Sequence, residues 1–305
     1  MAGICEGRVV IVTGAGNGLG RAYALGLAAQ GARVVVNDLG VGTHGESGET
    51  MGAAEKVVAE IKAAGGEAVA NTSDVADWEA TRTIVQTAID SFGRLDAVVN
   101  NAGFVRDRMF VSCTPEEWDA VTRVHLRGHF CTSRHAVDYW RTQQKAGNPI
   151  DARIVNTSSG AGLQGSIGQS AYSAAKAGIA TLTLVQAAEL ARYGITANAL
   201  APNARTRMTM TAFADTMTSM EEAAFDPYAP ENTAPLVAWL VSSRSKHVTG
   251  QVFEPFGGTI RICEGWTDGP KSADPERRLE PGEIGDIVDA LIAGRTPAKP
   301  VYGTA

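Results

Sequence analysis

The chain has 305 residues, of which 44% are hydrophobic and 20% are charged, a composition typical of globular proteins. This excludes a disordered chain, which would combine few apolar residues with a high net charge. The net charge of −6 disfavours nucleic acid as a partner, because binding to phosphates needs a basic surface. No apolar run reaches the length of a membrane span, so we expect no membrane-embedded segment.

The cysteines, at positions 5, 113, 131 and 263, are scattered and form no C-x-x-C pair. This spacing favours reduced thiols over a zinc site or a disulfide framework, and we expect no metal. The first residues, MAGICEGRVVIVTG, lack the apolar segment and cleavage site of a signal peptide. The sequence therefore predicts a cytoplasmic protein.

Strand and helix patterns alternate from the start of the chain. Short β-branched runs predict buried strands, and apolar residues at helical spacing predict the helices between them. Residues 39–50 are polar and rich in glycine, which predicts a loop longer than usual. The predicted elements up to residue 103 are strands at 8–13, 33–37, 67–71 and 96–103, the last with its exit turn, and helices at 18–30, 51–64 and 77–92.

The alternation continues in the second half. Residues 115–145 predict either one long helix or a broken pair of helices. A strand at 153–159, a long helix at 170–193 and a strand at 195–200 follow. Alternation at this spacing indicates right-handed βαβ units. The sequence therefore predicts an α/β fold, a Rossmann-type doubly wound parallel sheet with helices on both faces.

The length alone would suggest two domains. We instead expect a single domain over residues 1–258, because the candidate cofactor and catalytic residues lie along one predicted sheet. Residues 264–305 are rich in Pro, Gly and charged residues, with one amphipathic helix near 282–293. We expect residues 259–305 to form a C-terminal extension that packs on the domain or on a neighbouring subunit.

The turn after the first strand reads Thr13-Gly-Ala-Gly-Asn-Gly-Leu-Gly20. Gly14 would permit the tight turn, Gly18 would let the backbone approach a pyrophosphate, and Gly20 would let helix and strand pack closely. Free N–H groups and the helix dipole would then face the phosphates. The alternative is a glycine-rich turn without a ligand, since the spacing differs from G-x-G-x-x-G. The contacts predicted at this turn are Gly14, Asn17, Gly18, Leu19 and Gly20.

Asp38 follows the second strand, where its carboxylate could accept hydrogen bonds from the adenosine ribose. It would also repel a 2′-phosphate and so favours NAD over NADP; the alternative is an aspartate that caps a turn. Open α/β sheets bind ligands at the carboxyl ends of their strands, so further contacts are expected where other strands end. These are Leu39, then Asp74 and Val75, which are placed for an adenine edge, and Asn101, Ala102 and Gly103, which lie in a turn of small residues beside the cofactor.

Ser159 ends the fifth predicted strand, and Tyr172 and Lys176 lie one helical turn apart, so they share a face. A phenol with a pKa of about 10 is a poor base at neutral pH, and a neighbouring ammonium would lower that pKa. Tyr172 could then take a proton from an alcohol while Ser159 holds the same oxygen. A lone Tyr-x-x-x-Lys would be a solvated surface pair, but its combination with Ser159 and the glycine turn indicates catalysis.

These motifs resemble the short-chain dehydrogenase/reductase family over about residues 6–258. The motifs are Thr13-Gly-x-x-x-Gly-x-Gly20, Asn100-Asn-Ala-Gly103 and Ser159…Tyr172-x-x-x-Lys176. Within the family, the chain is similar to the (3R)-hydroxyacyl-CoA dehydrogenase domains of multifunctional enzyme type 2. That similarity lies in Gly18-Leu-Gly-Arg-Ala-Tyr-Ala24, Asn37-Asp-Leu-Gly40, Val124-His-Leu-Arg-Gly128 and Ala201-Pro-Asn-Ala204.

The resemblance implies an NAD cofactor, a β-hydroxyacyl thioester or steroid-like substrate, and a homodimer or homotetramer built through the helices near 115–145 and 170–193. It also implies that Lys176 holds the nicotinamide ribose. His125 stands where most of the family carries an Asn that helps to hold a proton-relay water; it has either this role or that of a packed core histidine. The resemblance implies nicotinamide contacts at Asn203 and Thr206, although the sequence departs from the family here, with Pro202-Asn203 in place of the usual Pro-Gly.

Residues 204–232 lie where the family places a mobile lid. Flexible Met side chains suit an irregular apolar ligand, although an amphipathic helix packed on the core would carry the same pattern. Arg205 and Arg207 could meet the acidic groups of coenzyme A or could be surface charges. The apolar residues of this segment are Met208, Met210, Phe213, Met217, Met220 and Phe225.

The sequence thus predicts an NAD-dependent oxidoreductase that interconverts a secondary alcohol and a ketone on an apolar small molecule, either a 3-hydroxyacyl-CoA or a steroid. One alternative is an NADPH-dependent reductase of 3-oxoacyl thioesters, which Asp38 disfavours. The other is a dinucleotide-binding module without turnover, which the intact set of Ser159, Tyr172 and Lys176 disfavours.

Overall fold

The computed structural model describes residues 3–40, 52–206, 225–273 and 277–304. In these ranges the strands form one sheet in the order β3-β2-β1-β4-β5-β6-β7-β8. Neighbouring strands are parallel except for β8, which runs antiparallel to β7. The strands are β1 (Val9–Thr13), β2 (Arg33–Asn37), β3 (Glu67–Asn71), β4 (Ala97–Asn100), β5 (Ala152–Thr157), β6 (Ile195–Leu200), β7 (Val252–Phe256) and β8 (Thr259–Ile262).

Helices cover both faces of the sheet, because alternate residues of each strand point to opposite sides. Val10 and Val12 of β1 belong to one apolar core with α1, α2 and α8, whereas Val9 and Ile11 belong to a second core with α3, α5 and α7. The predicted Rossmann-type architecture is confirmed. The helices are α1 (Gly18–Ala29), α2 (Ala53–Ala63), α3 (Trp78–Phe92), α4 (Pro115–Thr122), α5 (Gly128–Lys145), α6 (Gly160–Gln164), α7 (Ser170–Leu190), α8 (Ala234–Val241) and α9 (Ile284–Gly294).

The region predicted as one helix or a broken pair is a pair joined by a π-helical turn at Arg123–Arg127. A capping box, in which Thr114 and Glu117 exchange hydrogen bonds, begins α4. The π-turn widens the helix by one residue and turns His125 inward, where it is buried. Such turns are frequent at functional sites.

Two parts of the chain differ from the expected elements. The strand predicted at 153–159 ends at Thr157, and Ser159 does not end it but caps the short helix α6, which the pattern did not indicate. Ser159 leaves the strand because its hydroxyl oxygen accepts a hydrogen bond from the Ala161 N–H, 3.2 Å away. The elements α8, β7 and β8 were also not predicted.

The residues after 258 begin inside the sheet, since β8 pairs with β7. Most of residues 264–273 and most of α9 are exposed, and no residue of α9 is buried. Residues 300–304 then return to the main body of the protein, where Tyr302 pairs with Ser166. Among the described helices, none is both long and apolar enough to cross a bilayer.

Candidate active site

A cavity of about 540 Å³ opens at the carboxyl ends of the central strands. It lies where β1 has β2 on one side and β4 on the other, so that the strand order reverses. Ligands of open α/β sheets bind at such switch points. Of the residues predicted from the sequence, the following line the cavity: Gly14, Asn17, Gly18, Leu19, Asp38, Leu39, Asp74, Val75, Asn101, Ala102, Gly103, His125, Ser159, Tyr172, Lys176 and Thr206.

The glycine turn forms a cradle that larger residues would fill. Gly14 and Gly18 have φ angles of 62° and 51°, in the left-handed region that favours glycine. A Cβ atom at Gly20 would overlap the carbonyl oxygen of Gly14, so Gly20 allows the close approach of α1 rather than lining the cavity. The cradle fits a pyrophosphate at the N-terminus of α1.

The Asp38 carboxylate is fixed by backbone N–H groups at the edge of the cavity. Its two oxygens accept hydrogen bonds of 2.8 Å from Gly16 and from Gly40. A Cβ atom at Gly16 would lie 2.8 Å from one of these oxygens, so the turn leaves room for the carboxylate and little else. Asp38 therefore caps the turn, and it also lies at the edge of the cavity, where a ribose contact was predicted.

Asp74 has a partner that the sequence reasoning missed. Its carboxylate forms a 2.8 Å ion pair with Arg123, which also lines the cavity. The other oxygen accepts a 2.8 Å hydrogen bond from the Ala76 N–H. These contacts orient the side chain beside Val75, at the position predicted for an adenine edge. Arg123 belongs to the π-turn, whose geometry no sequence pattern indicated.

Ser159, Tyr172 and Lys176 converge on one end of the cavity. The ring of Tyr172 is partly exposed to the cavity, and its hydroxyl is hydrogen-bonded to Ser159. The Lys176 ammonium is buried, donates a 2.6 Å hydrogen bond to the Thr157 carbonyl oxygen, and lies 5.5 Å from the centroid of the Tyr172 ring. The three side chains can therefore act on one substrate oxygen.

The pKa values of this group differ from the expectation. Removal of the Tyr172 hydroxyl from bulk water raises its pKa, and the hydrogen bond from Ser159 opposes that rise. Burial lowers the pKa of Lys176 to about 7, so the ammonium is only partly charged at neutral pH. The expected lowering of the Tyr172 pKa is not met in the ligand-free protein, because burial of the phenol outweighs the hydrogen bond from Ser159.

His125 lies directly behind Tyr172. The two rings meet edge to face with centroids 5.2 Å apart, and a Cβ atom at Gly103 would overlap the imidazole. Its Nε2 atom lies 2.7 Å from the Phe104 carbonyl oxygen, while the buried Nδ1 atom has no partner among the described residues. Burial, with the nearby Lys176, holds the pKa of His125 well below its usual value. The neutral ring is thus tightly packed, and its Nδ1 atom is open to one more hydrogen bond.

A second buried histidine was missed. His129 lies one helical turn after His125 and is also buried, and its Nε2 atom has no partner in the described part of the chain. Burial, followed by repulsion from Lys176, lowers its pKa to about 3. The sequence did contain a signal for it, because two histidines four residues apart on a predicted helix lie on the same face.

Other predicted contacts lie away from the cavity lining. Asn203 is not among the described residues that line the cavity. Its N–H donates a 3.2 Å hydrogen bond to the Pro255 carbonyl oxygen. Arg205 forms an ion pair with Asp226, so its charge is already balanced and it is a poor candidate for a substrate anion. Arg207 and the Met residues predicted for the lid lie outside the described residues.

Comparison with known proteins gives the same family as the motifs. Residues 8–217 match the family described as short chain dehydrogenase. Hydroxyacyl-CoA dehydrogenase ChsB1 of Mycobacterium tuberculosis is 41% identical over 305 residues, which cover 98% of this chain and 93% of that protein. The crystal structure of a short chain dehydrogenase from Mycobacterium avium has a TM-score of 0.88 at 58% identity, covering 99% of this chain and 100% of that one.

A longer relative matches over the same region. Peroxisomal multifunctional enzyme type 2 of Mus musculus is 46% identical over 261 residues, which cover 86% of this chain. The match covers 32% of the mouse enzyme, so the chain spans about a third of that relative. The family resemblance inferred from the motifs is confirmed. The chain belongs to the short-chain dehydrogenase family, whose members bind a nicotinamide dinucleotide, and it is an oxidoreductase that acts on CH–OH groups.

Proposed function

We propose that this protein is an NAD-dependent dehydrogenase that oxidises the secondary hydroxyl of a 3-hydroxyacyl-CoA to a ketone. The observation that carries the proposal is that Asp38 and the group of Ser159, Tyr172 and Lys176 line one cavity. One relative reported above supports the substrate class, since it is named as a hydroxyacyl-CoA dehydrogenase.

The residues present fit the dinucleotide. The cradle of Gly14 and Gly18 takes the pyrophosphate, the carboxylate of Asp38 accepts from the ribose hydroxyls, and Asp74 and Val75 take the adenine edge. Ala102 and Gly103 line the part of the cavity that would hold the nicotinamide end. When bound, the nicotinamide supplies a hydride acceptor.

The protein's own part of the reaction is to hold and move a proton. Ser159 donates a hydrogen bond to the substrate oxygen, and Tyr172 takes the hydroxyl proton as the carbon is oxidised. The Lys176 ammonium, anchored on the Thr157 carbonyl, faces the same phenol and stabilises its anion. The open Nδ1 atom of His125 can form a hydrogen bond with a water behind Tyr172, which supports the relay role over simple packing.

The function is tested with NAD and a panel of 3-hydroxyacyl-CoA thioesters of both configurations, steroid alcohols and simple secondary alcohols. We expect the highest kcat/KM for a 3-hydroxyacyl-CoA. Preference for a steroid alcohol would contradict the substrate class. Absence of turnover with every alcohol, together with binding of NADH, would favour a dinucleotide-binding module.

The proposed NAD preference rests on Asp38. The Asp38→Asn variant keeps a hydrogen-bond acceptor but removes the charge, so we expect the ratio of NADPH to NADH affinity to rise about 10-fold. Quenching of protein fluorescence by each dinucleotide measures both dissociation constants. The exposed Asp90 of α3 provides a control, because Asp90→Asn makes the same charge change far from the cavity. Tighter wild-type binding of NADPH than of NADH would contradict the proposal and favour the reductase alternative.

We also propose that the chain forms a homo-oligomer through α5 and α7. Phe130, Leu184 and Val185 are 46%, 47% and 46% exposed, respectively. A shallow groove beside them is lined by apolar residues that include Leu126 and Leu182. Exposed apolar patches of this kind mark protein interfaces, and a symmetric pair of copies would cover the same residues on both.

The Leu184→Glu variant should weaken this association, because it places a charge in the apolar interface. We expect a smaller mass in sedimentation equilibrium at micromolar concentration. Lys62→Glu on the exposed face of α2 is the control, and it should leave the mass unchanged. A wild-type chain that sediments as a monomer would contradict the proposal.

A further inference from the structure

Ser159 and Tyr172 are joined by a connecting loop of residues 160–169, which includes α6. One side of this loop is held by the segment that follows the cavity residue Phe104. The Arg108 N–H donates a 2.7 Å hydrogen bond to the Gly168 carbonyl oxygen. The Gln169 side chain donates a 3.0 Å hydrogen bond to the Asp107 carboxylate. This side of the loop is therefore fixed by the main domain.

The other side is held by a part of the chain more than a hundred residues away, the 300–304 segment. The Tyr302 N–H donates to the Gly165 carbonyl oxygen at 3.1 Å, and the Ile167 N–H donates to the Tyr302 carbonyl oxygen at 2.9 Å. The Gln164 side-chain amide donates to the Pro300 carbonyl oxygen at 2.9 Å. The loop thus forms hydrogen bonds on both sides, with the segment around Arg108 on one side and with the 300–304 segment on the other.

The Tyr302 ring adds a contact beside the proposed catalytic serine. It lies over Gly160, the residue after Ser159, and a Cβ atom at Gly160 would lie 2.6 Å from the Tyr302 hydroxyl oxygen and 3.0 Å from its Cε2 atom. The ring therefore covers the backbone at the start of α6. Since Ser159 is the N-cap of this helix, the position of α6 sets the direction of its hydroxyl.

The contact with the connecting loop is made by the 300–304 segment and not by the rest of the C-terminal extension. Residues 264–271 and all of α9 are exposed, or nearly so, and make few contacts with the sheet. The hydrogen bonds to the connecting loop come instead from Pro300 and Tyr302. A contact made by so few residues, at the loop that carries two proposed catalytic groups, points to a role in positioning them.

We infer that the 300–304 segment is a positioning element of the active site, which holds the connecting loop so that Ser159 stays in hydrogen-bond contact with Tyr172. This inference rests on the proposed roles of Ser159 and Tyr172. Loss of the segment would let α6 shift, and a displacement of about 1 Å can cost up to about 100-fold in rate. It would also weaken the Ser159 hydrogen bond that lowers the pKa of Tyr172, so that this pKa would rise.

A double-mutant cycle on the full-length protein tests the contact. Gly160→Ala places a methyl group against the Tyr302 ring, and Tyr302→Ala removes that ring. We expect each variant to lower kcat about 10-fold with little change in NADH affinity, and to move the lower limb of the kcat/KM pH profile to higher pH. In the double variant the two fold-losses in kcat should not multiply, because removal of the Tyr302 ring leaves space for the methyl group at position 160.

Lys299→Ala, an exposed neighbour, is the control and should leave kcat and the pH profile as in the wild type. Thermal unfolding of every variant checks that the fold is intact. Single variants with the wild-type kcat and pH profile would overturn the inference. A double variant in which the two fold-losses in kcat multiply would show that Gly160 and Tyr302 act separately.

A second measurement does not depend on turnover. Hydrogen exchange at the Ile167 amide, which donates to Tyr302, should be at least about 10-fold faster in Tyr302→Ala than in Lys299→Ala. Unchanged exchange would overturn the inference even if no substrate were found. If exchange accelerates while the wild type oxidises no alcohol, the segment holds the loop and it is the proposed function that fails.

Discussion

Replacement of Tyr172 by phenylalanine is expected to lower kcat about 1000-fold while changing the dissociation constant of NADH less than about 3-fold. The variant removes the phenol oxygen that takes the substrate proton but keeps the ring that packs edge to face on His125. Ser159 and Lys176 remain, yet neither can replace the lost base, because the serine hydroxyl is not ionised at neutral pH and the Lys176 nitrogen is held by its hydrogen bond to the Thr157 carbonyl oxygen. Steady-state kinetics and fluorescence titration with NADH measure the two quantities.

Tyr193→Phe is the matched control, since Tyr193 follows α7 and does not line the cavity. It should keep the wild-type kcat. A Tyr172→Phe enzyme with more than about a tenth of the wild-type kcat would contradict the proposed base. The free energy of unfolding should change little, because the hydrogen bond that the lost hydroxyl shares with Ser159 is worth about 1 kcal/mol.

The cavity could be predicted from the sequence because parallel strands bring distant motifs to one edge. Asp38, Asn101 and Ser159 follow different strands, and their common position required only that these strands be parallel and close together in one sheet. The glycine turn was recognisable because its φ angles need glycine. The roles of these residues stay predictions, but their proximity followed from topology alone.

Features that depend on tertiary contacts could not be predicted in the same way. The pairing of Asp74 with Arg123 needs the π-turn, and the pairing of Tyr302 with Ser166 joins segments with no common pattern. The upward shift of the Tyr172 pKa was missed for a similar reason. Helical spacing showed that Lys176 was near, but only the packed structure shows that the Tyr172 phenol is itself buried, which raises its pKa.

Acidification from pH 7 to pH 5 is expected to lower the free energy of unfolding through the buried histidines. His129 has a pKa of about 3 in the folded protein against 6.5 for an exposed histidine. Between these values the unfolded chain binds more protons than the folded one, so stability is present above pH 6.5 and falls as the pH falls towards 3. At pH 5 the loss from His129 is about 2 kcal/mol, taking about 1.36 kcal/mol per pKa unit.

Lys176 does not contribute to this window. Its pKa is about 7 in the folded protein against 10.5 when exposed, so it is charged in both states below about pH 6. Its linkage raises the free energy of unfolding only between about pH 7 and pH 10.5. The pKa of His125 is also lowered by burial, so His125 acts in the same direction as His129 and over the same acidic range.

The His129→Gln variant should therefore lose less stability than the wild type between pH 7 and pH 5, by about 2 kcal/mol in urea unfolding. The variant can be less stable than the wild type at pH 7, because a buried side chain has changed. The diagnostic quantity is the difference between its free energies of unfolding at pH 7 and at pH 5. His247→Gln is the control, since His247 is exposed and outside the cavity. An identical loss for His129→Gln and the wild type would show that His129 is protonated as readily in the folded protein as in the unfolded chain, which its burial beside Lys176 should prevent.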